Sequence, residues 1–422
     1  MDKFIIVGGT PLRGEVKVSG SKNASLPIMC SSILAEGPCI YDNVPRLQDI
    51  RTMGEVLSTM GMRVTRSEDG LLEIDPAGIE TCEAPYDLVK SMRASILVLG
   101  PLLARFGRAK VSLPGGCAIG VRPIDMHLKA LAKMGAEINL SHGYVIASVS
   151  GRLKGATIVF DNTTVGGTEN ILMAAALADG VTVIEGAARE PEVVDLAGVL
   201  NAMGARIEGA GSSTITVEGV KSLHGVEYRV IPDRIEAGTL LVAGAITRGR
   251  ITLTGHRMEH MVAVVENLLE MGVDIQELPD GRLLVDGTGE LKPIEVETVP
   301  YPGFPTDMQA QVMALACVAS GASRITENIF ENRFMHVPEL MRMGADLQEV
   351  GRTVIVKGIE RFQGASVMAT DLRASASLVL AALNARGFTE IRRIYHLDRG
   401  YEALDRKLAQ LGAQVTRERG GL

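Results

Sequence analysis

NILMAAALADGVTVIEG (170–186), followed at 193–208 by VVDLAGVLNAMGARIE, decides how the chain folds. The first stretch is an alanine- and leucine-rich helical run that stops at Gly180 and turns into the β-type run VTVIEG. The second is an amphipathic helical pattern over 194–203 that closes on Met203-Gly204-Ala205, ahead of the short alternating stretch Arg206-Ile207-Glu208. Each reads as a helix stopped by a C-terminal glycine and then a strand.

Both markers recur along the chain. The second appears as Met60-Gly61-Met62, Met134-Gly135-Ala136, Met203-Gly204-Ala205, Met271-Gly272-Val273, Met343-Gly344-Ala345 and Leu411-Gly412-Ala413, with glycines 74, 69, 68, 72 and 68 residues apart. The first appears at Gly37, Gly107, Gly180, Gly249, Gly321 and Gly387, which precede their partners by 24, 28, 24, 23, 23 and 25 residues. One unit of about 70 residues, helix–strand–loop–helix–strand–strand, is therefore written six times. That period is too long for the common solenoids. Helices alternating with strands predict an α/β architecture. The first helix of each unit is almost wholly apolar, so it should be buried, and helices inside with sheets outside is one way to bury it.

A chain of 422 residues is too long for one ordinary core, and six units divide naturally into two domains of three. The midpoint falls near YRVIPDRIEAG (228–238). The division expected is 21–230 for the first domain, with the Cys117 loop, and 1–20 plus 231–422 for the second. On the pattern alone the N-terminal strand within 1–20 could pair with either.

Composition narrows the function. The chain is 46% hydrophobic and 22% charged, as an ordinary globular protein is. A net charge of −7 argues against a nucleic-acid binder, while leaving room for a local basic pocket. Aromatic residues make up 4% and Trp is absent, so stacking on bases is not expected. The longest apolar runs, such as 95–104, fall far short of the roughly 20 residues a membrane span needs. The start, MDKFIIVGGTPLRG, shows no signal-peptide pattern. Five widely spaced cysteines make neither a disulfide framework nor a metal site, which fits a reducing, cytoplasmic setting.

Residues that break the repeat are the candidates for function. Lys22 and Asn23, in GSKNASLPIM (20–29), stand at the start of the first buried helix, where free N–H groups favour an anion. Capping by Ser21 or Asn23 with a solvated lysine would account for the same residues. Cys117 and Arg122, in PGGCAIGVRPID (114–125), lie in the loop that makes the 28-residue gap. A thiol beside a cation can have a tuned pKa and act as acid or nucleophile. An exposed cysteine is otherwise a liability, which weighs against an incidental one. Cys30 and Cys317 sit in apolar helical runs and read as core, and Cys39 and Cys82 belong to no constellation. Asp307, in YPGFPTDMQAQ (301–311), opens a buried helix, as an N-cap or as a general base. Arg333, Arg373 and Arg399 lie at loops or helix starts in the second half, and Arg93 in SMRASI matches Arg373 in DLRASA. An arginine opposes the dipole at a helix start, so these positions need another reason, and arginine clamps phosphate or carboxylate. His127, His256, His260, His336 and His396 lack zinc spacing, and no phosphate-binding P-loop is present.

The motifs SGSKNASLPI, APYDLVKSMRAS, LPGGCAIGVRPIDMH, AAREPEVVDL, PDRIEAGT, FPTDMQAQ, ITENIFENRFMHVPELMRMGA, MATDLRASASLVLA and RIYHLDRGYE, in this order and nearly end to end, resemble the UDP-N-acetylglucosamine enolpyruvyl transferases, also called 1-carboxyvinyltransferases. The resemblance implies a two-domain inside-out α/β barrel, the enolpyruvyl transferase fold, with six βαβαββ units, three per domain. It implies transfer of the enolpyruvyl group of phosphoenolpyruvate to the 3′-hydroxyl of UDP-N-acetylglucosamine, with loss of phosphate. This is the first committed step of peptidoglycan synthesis in the cytoplasm, and so bears on cell wall, cell shape and cell division. The resemblance implies no metal or organic cofactor, no nucleic-acid or membrane partner, and a monomer or weak oligomer.

By the same resemblance Cys117 is the general acid, able also to bond covalently to phosphoenolpyruvate, and Asp307 takes the 3′-hydroxyl proton. Lys22, Arg122 and Arg399 match phosphate-binding positions, with Arg333 and Arg373 around the carboxylate end. Asn23, Arg93, Arg122, Pro123, Ile124, Asp125, Met126, Asp307 and Ile329 match UDP-sugar positions. Glycines around Cys117 would let its loop close over substrates once the UDP-sugar is bound. Fosfomycin-type epoxides should alkylate Cys117, and a Cys117→Asp variant should resist them. Some relatives carry lysine where Asn162 stands, which leaves the contacts of 160–167 with UDP open. Two other readings stay alive: 5-enolpyruvylshikimate-3-phosphate synthase, with the same fold and donor, and an inactive UDP-sugar-binding paralogue. A non-enzymatic repeat scaffold would have no reason to place Cys117 and the arginines only in certain loops.

Overall fold

The structure is a computed structural model and describes residues 2–90, 92–113 and 124–420. In chain order the elements begin with β1 (Lys3–Val7), β2 (Arg13–Lys17), α1 (Lys22–Ser31), β3 (Cys39–Asp42), α2 (Gln48–Thr59), β4 (Arg63–Arg66) and β5 (Leu72–Asp75). The second repeat adds β6 (Glu83–Ala84), α3 (Tyr86–Val89), α4 (Leu99–Phe106), β7 (Arg108–Ser112), α5 (Asp125–Lys133), β8 (Glu137–Ser141) and β9 (Tyr144–Ser148). The third adds β10 (Thr157–Val159), α6 (Val165–Ala176), β11 (Val181–Glu185), α7 (Pro191–Ala202), β12 (Arg206–Glu208) and β13 (Thr214–Glu218). The fourth runs β14 (Glu227–Arg229), α8 (Arg234–Ile246), β15 (Arg250–Thr254), α9 (Val262–Glu270), β16 (Asp274–Glu277) and β17 (Leu283–Asp286). The last two are β18 (Glu295–Glu297), α10 (Gln309–Ala316), β19 (Ala322–Thr326), α11 (Val337–Arg342), β20 (Asp346–Val350) and β21 (Thr353–Lys357), then β22 (Ser366–Met368), α12 (Leu372–Asn384), β23 (Phe388–Arg392), α13 (Leu404–Gln410) and β24 (Gln414–Glu418).

Each repeat thus opens on a lead strand; in the second to sixth repeats it has only two or three residues, too few for a legible alternation, and the sequence pattern missed it. In the third repeat the lead strand β10 pairs parallel with β11, and β13 lies between β11 and β12 in antiparallel register. All six sheets have this four-stranded plan.

Among the described residues the chain forms two compact units, one from 2–19 and 232–420 and the other from 20–113 and 124–231. Three strands leave their own repeat. β2 precedes α1 yet pairs with β15. β14 precedes α8 yet pairs with β3. β1 inserts between β23 and β24 and completes the sixth sheet, which settles the partner of the N-terminal strand.

Within each unit the first helices are central. Every residue of α10 is buried, and so is every residue of α8 and α12 after the first, because sequences such as RIEAGTLLVAGAI have no continuous polar face. The second helices bury one stripe only; α9 buries Val264, Val265 and Leu268. Strands alternate, as β11 does with Thr182 and Ile184 inward, so the sheets cover the helices on one face and meet solvent on the other. All six methionine- or leucine-glycine stops adopt left-handed φ, from 88° to 106°. Each is followed by a hydrogen bond back to the last turn, such as Ala205 N to Leu200 O at 2.9 Å, the Schellman pattern. The other glycine set is less uniform: Gly37 and Gly249 keep ordinary φ, and in the fourth repeat Arg248 takes the left-handed position instead. No helix among the described residues is long and apolar enough to cross a membrane.

Candidate active site

Each unit carries its own group of predicted residues. In the unit built from 20–231, Lys22 opens α1, whose N-cap is Ser21, its hydroxyl accepting from Ala24 N at 3.2 Å. Lys22 is not the solvated lysine that capping alone would leave. Its Nζ lies 2.9 Å from Oδ2 of Asp49, in the first turn of α2, and both side chains are largely buried. The pair offsets the cost of a cation at a helix N-terminus. Asn23 follows in the same first turn, half-buried.

Arg93 opens a 3₁₀ turn, Arg93–Val98, that runs into α4. Asn170 of α6 holds this segment: its Oδ1 accepts from Gly100 N at 2.7 Å, and its Nδ2 donates to Ile96 O at 3.1 Å. The same Nδ2 lies 3.1 Å from Nδ1 of His127. Donation to Nδ1 leaves the imidazole proton on Nε2. Burial pushes the His127 pKa down to about 4, helped by the charge of Arg93 and opposed by Asp125. Ile124, Asp125 and Met126, at the start of α5, are half-buried. Asp125 pairs with Lys129 at 3.1 Å, which lowers its pKa. Asn162 is exposed on the turn before α6. Cys117, Arg122 and Pro123 lie outside the described residues.

In the other unit the structure brings Asp307, Arg333 and Arg373 together. Asp307 stands in a 3₁₀ turn, Thr306–Met308, ahead of α10, and its carboxylate caps no helix. Instead Nη2 of Arg333 donates to Oδ1 at 2.7 Å and Nη2 of Arg373 donates to Oδ2 at 3.0 Å. The two arginine side chains are 4% and 5% exposed, against 27% for Asp307, so the carboxylate is the reachable member. Arg373 sits in the first turn of α12, where Asp371 caps the helix through the N–H groups of Arg373 and Ala374. Burial disfavours its charge, but Asp307, then Tyr401 and Asp233, outweigh that and hold its pKa above the ordinary arginine value. These neighbours are the other reason that the helix-start position called for.

Behind the pair lies a polar knot that sequence reasoning did not find. Arg373 Nη1 donates to the Tyr401 hydroxyl at 3.3 Å, which lies 2.9 Å from Thr239 Oγ1 of α8. Gln311 Nε2 of α10 donates to Asp307 O at 2.8 Å and to Thr239 Oγ1 at 3.2 Å. Gln311 and Thr239 are polar residues inside otherwise apolar helices, a signal the sequence did offer; Tyr401 and Asp49 gave none. Arg399 ends a 3₁₀ turn, Ile394–Arg399, half-buried, two residues before Tyr401. Ile329 is more than one-third exposed, and its N–H is held by Glu327. Chemically, one unit presents a carboxylate between two fixed cations and the other a buried lysine at a helix start. No cluster of three metal-ligating side chains occurs among the described residues.

A family model described as EPSP synthase (3-phosphoshikimate 1-carboxyvinyltransferase) matches residues 6–408. A UDP-N-acetylglucosamine 1-carboxyvinyltransferase of Anaeromyxobacter dehalogenans (strain 2CP-C) is 58% identical over 100% of both chains. One of Geotalea uraniireducens (strain Rf4) is 59% identical over 99% of both. Among solved structures, the enolpyruvyl transferase NikO from Streptomyces tendae superposes with a TM-score of 0.88 at 28% identity, over 99% of this chain and 98% of that one. An EPSP synthase from Acinetobacter baumannii shares the fold, with a TM-score of 0.77 at 20% identity over 99% of this chain and 100% of that one.

Proposed function

The chain belongs to the EPSP synthase family of 1-carboxyvinyltransferases, and from that premise we infer that it transfers the enolpyruvyl group of phosphoenolpyruvate to the 3′-hydroxyl of UDP-N-acetylglucosamine, releasing phosphate. One observation carries the choice of acceptor. Relatives named for the UDP-sugar reaction match from end to end at 57–59% identity, whereas the EPSP synthase neighbour shares 20% and the fold.

The reaction adds and then eliminates. The methylene carbon of phosphoenolpyruvate takes a proton while the sugar oxygen attacks the adjacent carbon. The tetrahedral ketal phosphate then loses phosphate and the proton. Cys117 supplies the first proton, a thiol being acidic enough to give it and weak enough to keep it near neutrality. The same sulfur is the site of the covalent pyruvyl adduct and of fosfomycin-type alkylation. Asp307 receives the 3′-hydroxyl proton. Both of its oxygens accept from guanidiniums at rest, so one of these bonds gives way as the proton is taken. A substrate carboxylate arriving at Arg333 and Arg373 would compete with Asp307 and free it for this step. Lys22, Arg122 and Arg399 hold the phosphate, and Asn23, Arg93, Pro123, Ile124, Asp125, Met126 and Ile329 the UDP-sugar. The protein acts in the cytoplasm as a monomer or weak oligomer, with consequences for cell shape and division.

Phosphate release from phosphoenolpyruvate tests this, with UDP-N-acetylglucosamine or shikimate-3-phosphate as acceptor. Release is expected only with the UDP-sugar, and should fall by about 10²- to 10⁴-fold in Cys117→Ser and in Asp307→Asn. Release with shikimate-3-phosphate would move the protein to the sister activity. Binding of the UDP-sugar without release would mark an inactive paralogue.

A further inference from the structure

Glu327 follows the last residue of β19 and is 1% exposed, yet no cation among the described residues is bonded to it. Four donors converge on it instead. Oε1 accepts from Thr298 Oγ1 at 2.9 Å, from Ile329 N at 2.8 Å and from Phe330 N at 3.0 Å. Oε2 accepts from Thr306 Oγ1 at 2.8 Å. Both oxygens are thus satisfied by neutral partners, as a polar group buried this deeply requires. Thr298 passes the tie on, its Oγ1 accepting from Asn328 N at 2.9 Å.

What these bonds join matters more than their number. Thr306 is the residue before Asp307, and Ile329 and Phe330 form the turn after β19. The Phe330 ring lies 5.4 Å from the Arg333 guanidinium, and Arg333 closes the path by donating to Asp307 at 2.7 Å. The circuit Glu327–Thr306–Asp307–Arg333–Phe330–Glu327 therefore fixes the Asp307 carboxylate relative to the Ile329 backbone. We propose that Glu327 is a positioning residue for acceptor binding and proton removal: it touches no reacting atom and sets the spacing between Asp307 and the Ile329 turn. The proposal rests on the assignment of Asp307 and Ile329 to the UDP-sugar made above.

The test is steady-state phosphate release together with thermal melting for wild type, Glu327→Ala, Glu327→Gln and Thr306→Val. In Glu327→Ala the KM for UDP-N-acetylglucosamine should rise and kcat should fall, each by about 10-fold or more, since sub-ångström misplacement of reacting groups is enough for such losses. Glu327→Gln should recover most of both. Its amide oxygen can keep the Ile329, Phe330 and Thr298 donors while its NH₂ group faces the Thr306 hydroxyl, which can accept. Thr306→Val removes one tie only, and should lower kcat several-fold with little change in melting temperature. A purely structural glutamate would lower the melting temperature and the folded fraction and leave KM unchanged; that result overturns the proposal, as does a Gln variant no better than Ala. If Glu327→Ala does not fold, an unchanged kcat in Thr306→Val overturns it alone. An inactive wild type would instead sink the assignment of the reaction.

Discussion

His127 shows how one side chain links its neighbours Arg93, Asp125 and Asn170 to stability. It is kept neutral by burial first and by Arg93 second, with a pKa of about 4. In the unfolded chain it titrates near 6.5. Between those values the unfolded state binds a proton that the folded state refuses, so stability falls as pH falls through this window. The loss amounts to about 2 kcal/mol between pH 7 and pH 5. Chemical denaturation of wild type and His127→Gln across that range should give a shallower slope for the variant. The slope will not vanish, because buried His336 is also pushed down to about 4. Superimposable slopes would mean that His127 is accessible to protons when folded. None of this is legible in the sequence, where His127 is one of seven histidines without metal spacing. The same holds for Asp49, Tyr401 and Glu327, whose partners lie up to 27, 162 and 29 residues away and are selected by packing. Asp307 and the arginines were visible because they break a repeat that otherwise supplies its own baseline.

At the level of elements, glycine is legible where it serves the backbone, and the structure separates those that need left-handed φ from those that do not. Gly61 has φ +101° and an added Cβ would lie 2.0 Å from Gly78 O. Gly412 has φ +94° with nothing within 4 Å. Gly37 has ordinary φ and meets only Gly225 N at 3.8 Å. Alanine at 412 should therefore cost about 1–2 kcal/mol from the backbone alone. Alanine at 61 should cost more, because the neighbouring strand connection must also move. Alanine at 37 should be within about 0.5 kcal/mol of wild type. Denaturant midpoints for the three variants check the order, and a Gly37→Ala loss equal to that of Gly412→Ala would refute it. The lead strands stayed hidden for the opposite reason. A segment such as Glu83–Ala84 owes its conformation to a parallel neighbour more than 20 residues ahead, and has no pattern of its own.

At the scale of the whole molecule, three displaced strands make the two units unequal. All the strands of three sheets, β14-β3-β5-β4, β6-β7-β9-β8 and β10-β11-β13-β12, lie between residues 39 and 229. Residues 20–231 thus hold every strand of their sheets in one continuous stretch. Residues 232–422 do not. Their fourth-repeat sheet lacks β2 without the N-terminus, and their sixth loses β1, which bonds to both β23 and β24 and buries Phe4 and Ile6. Removing Phe4 alone from such a site is worth about 3–5 kcal/mol, a large fraction of the roughly 5–15 kcal/mol by which a domain is stable. A fragment of residues 20–231 should therefore fold by itself, with a cooperative thermal transition by circular dichroism, whereas 232–422 should show none. Adding a peptide of residues 1–19 to the second fragment should restore a transition that depends on peptide concentration, because the peptide binds only the folded form. A cooperative transition in 232–422 without the peptide would show that its three first helices, rather than the closed sheets, define the fold.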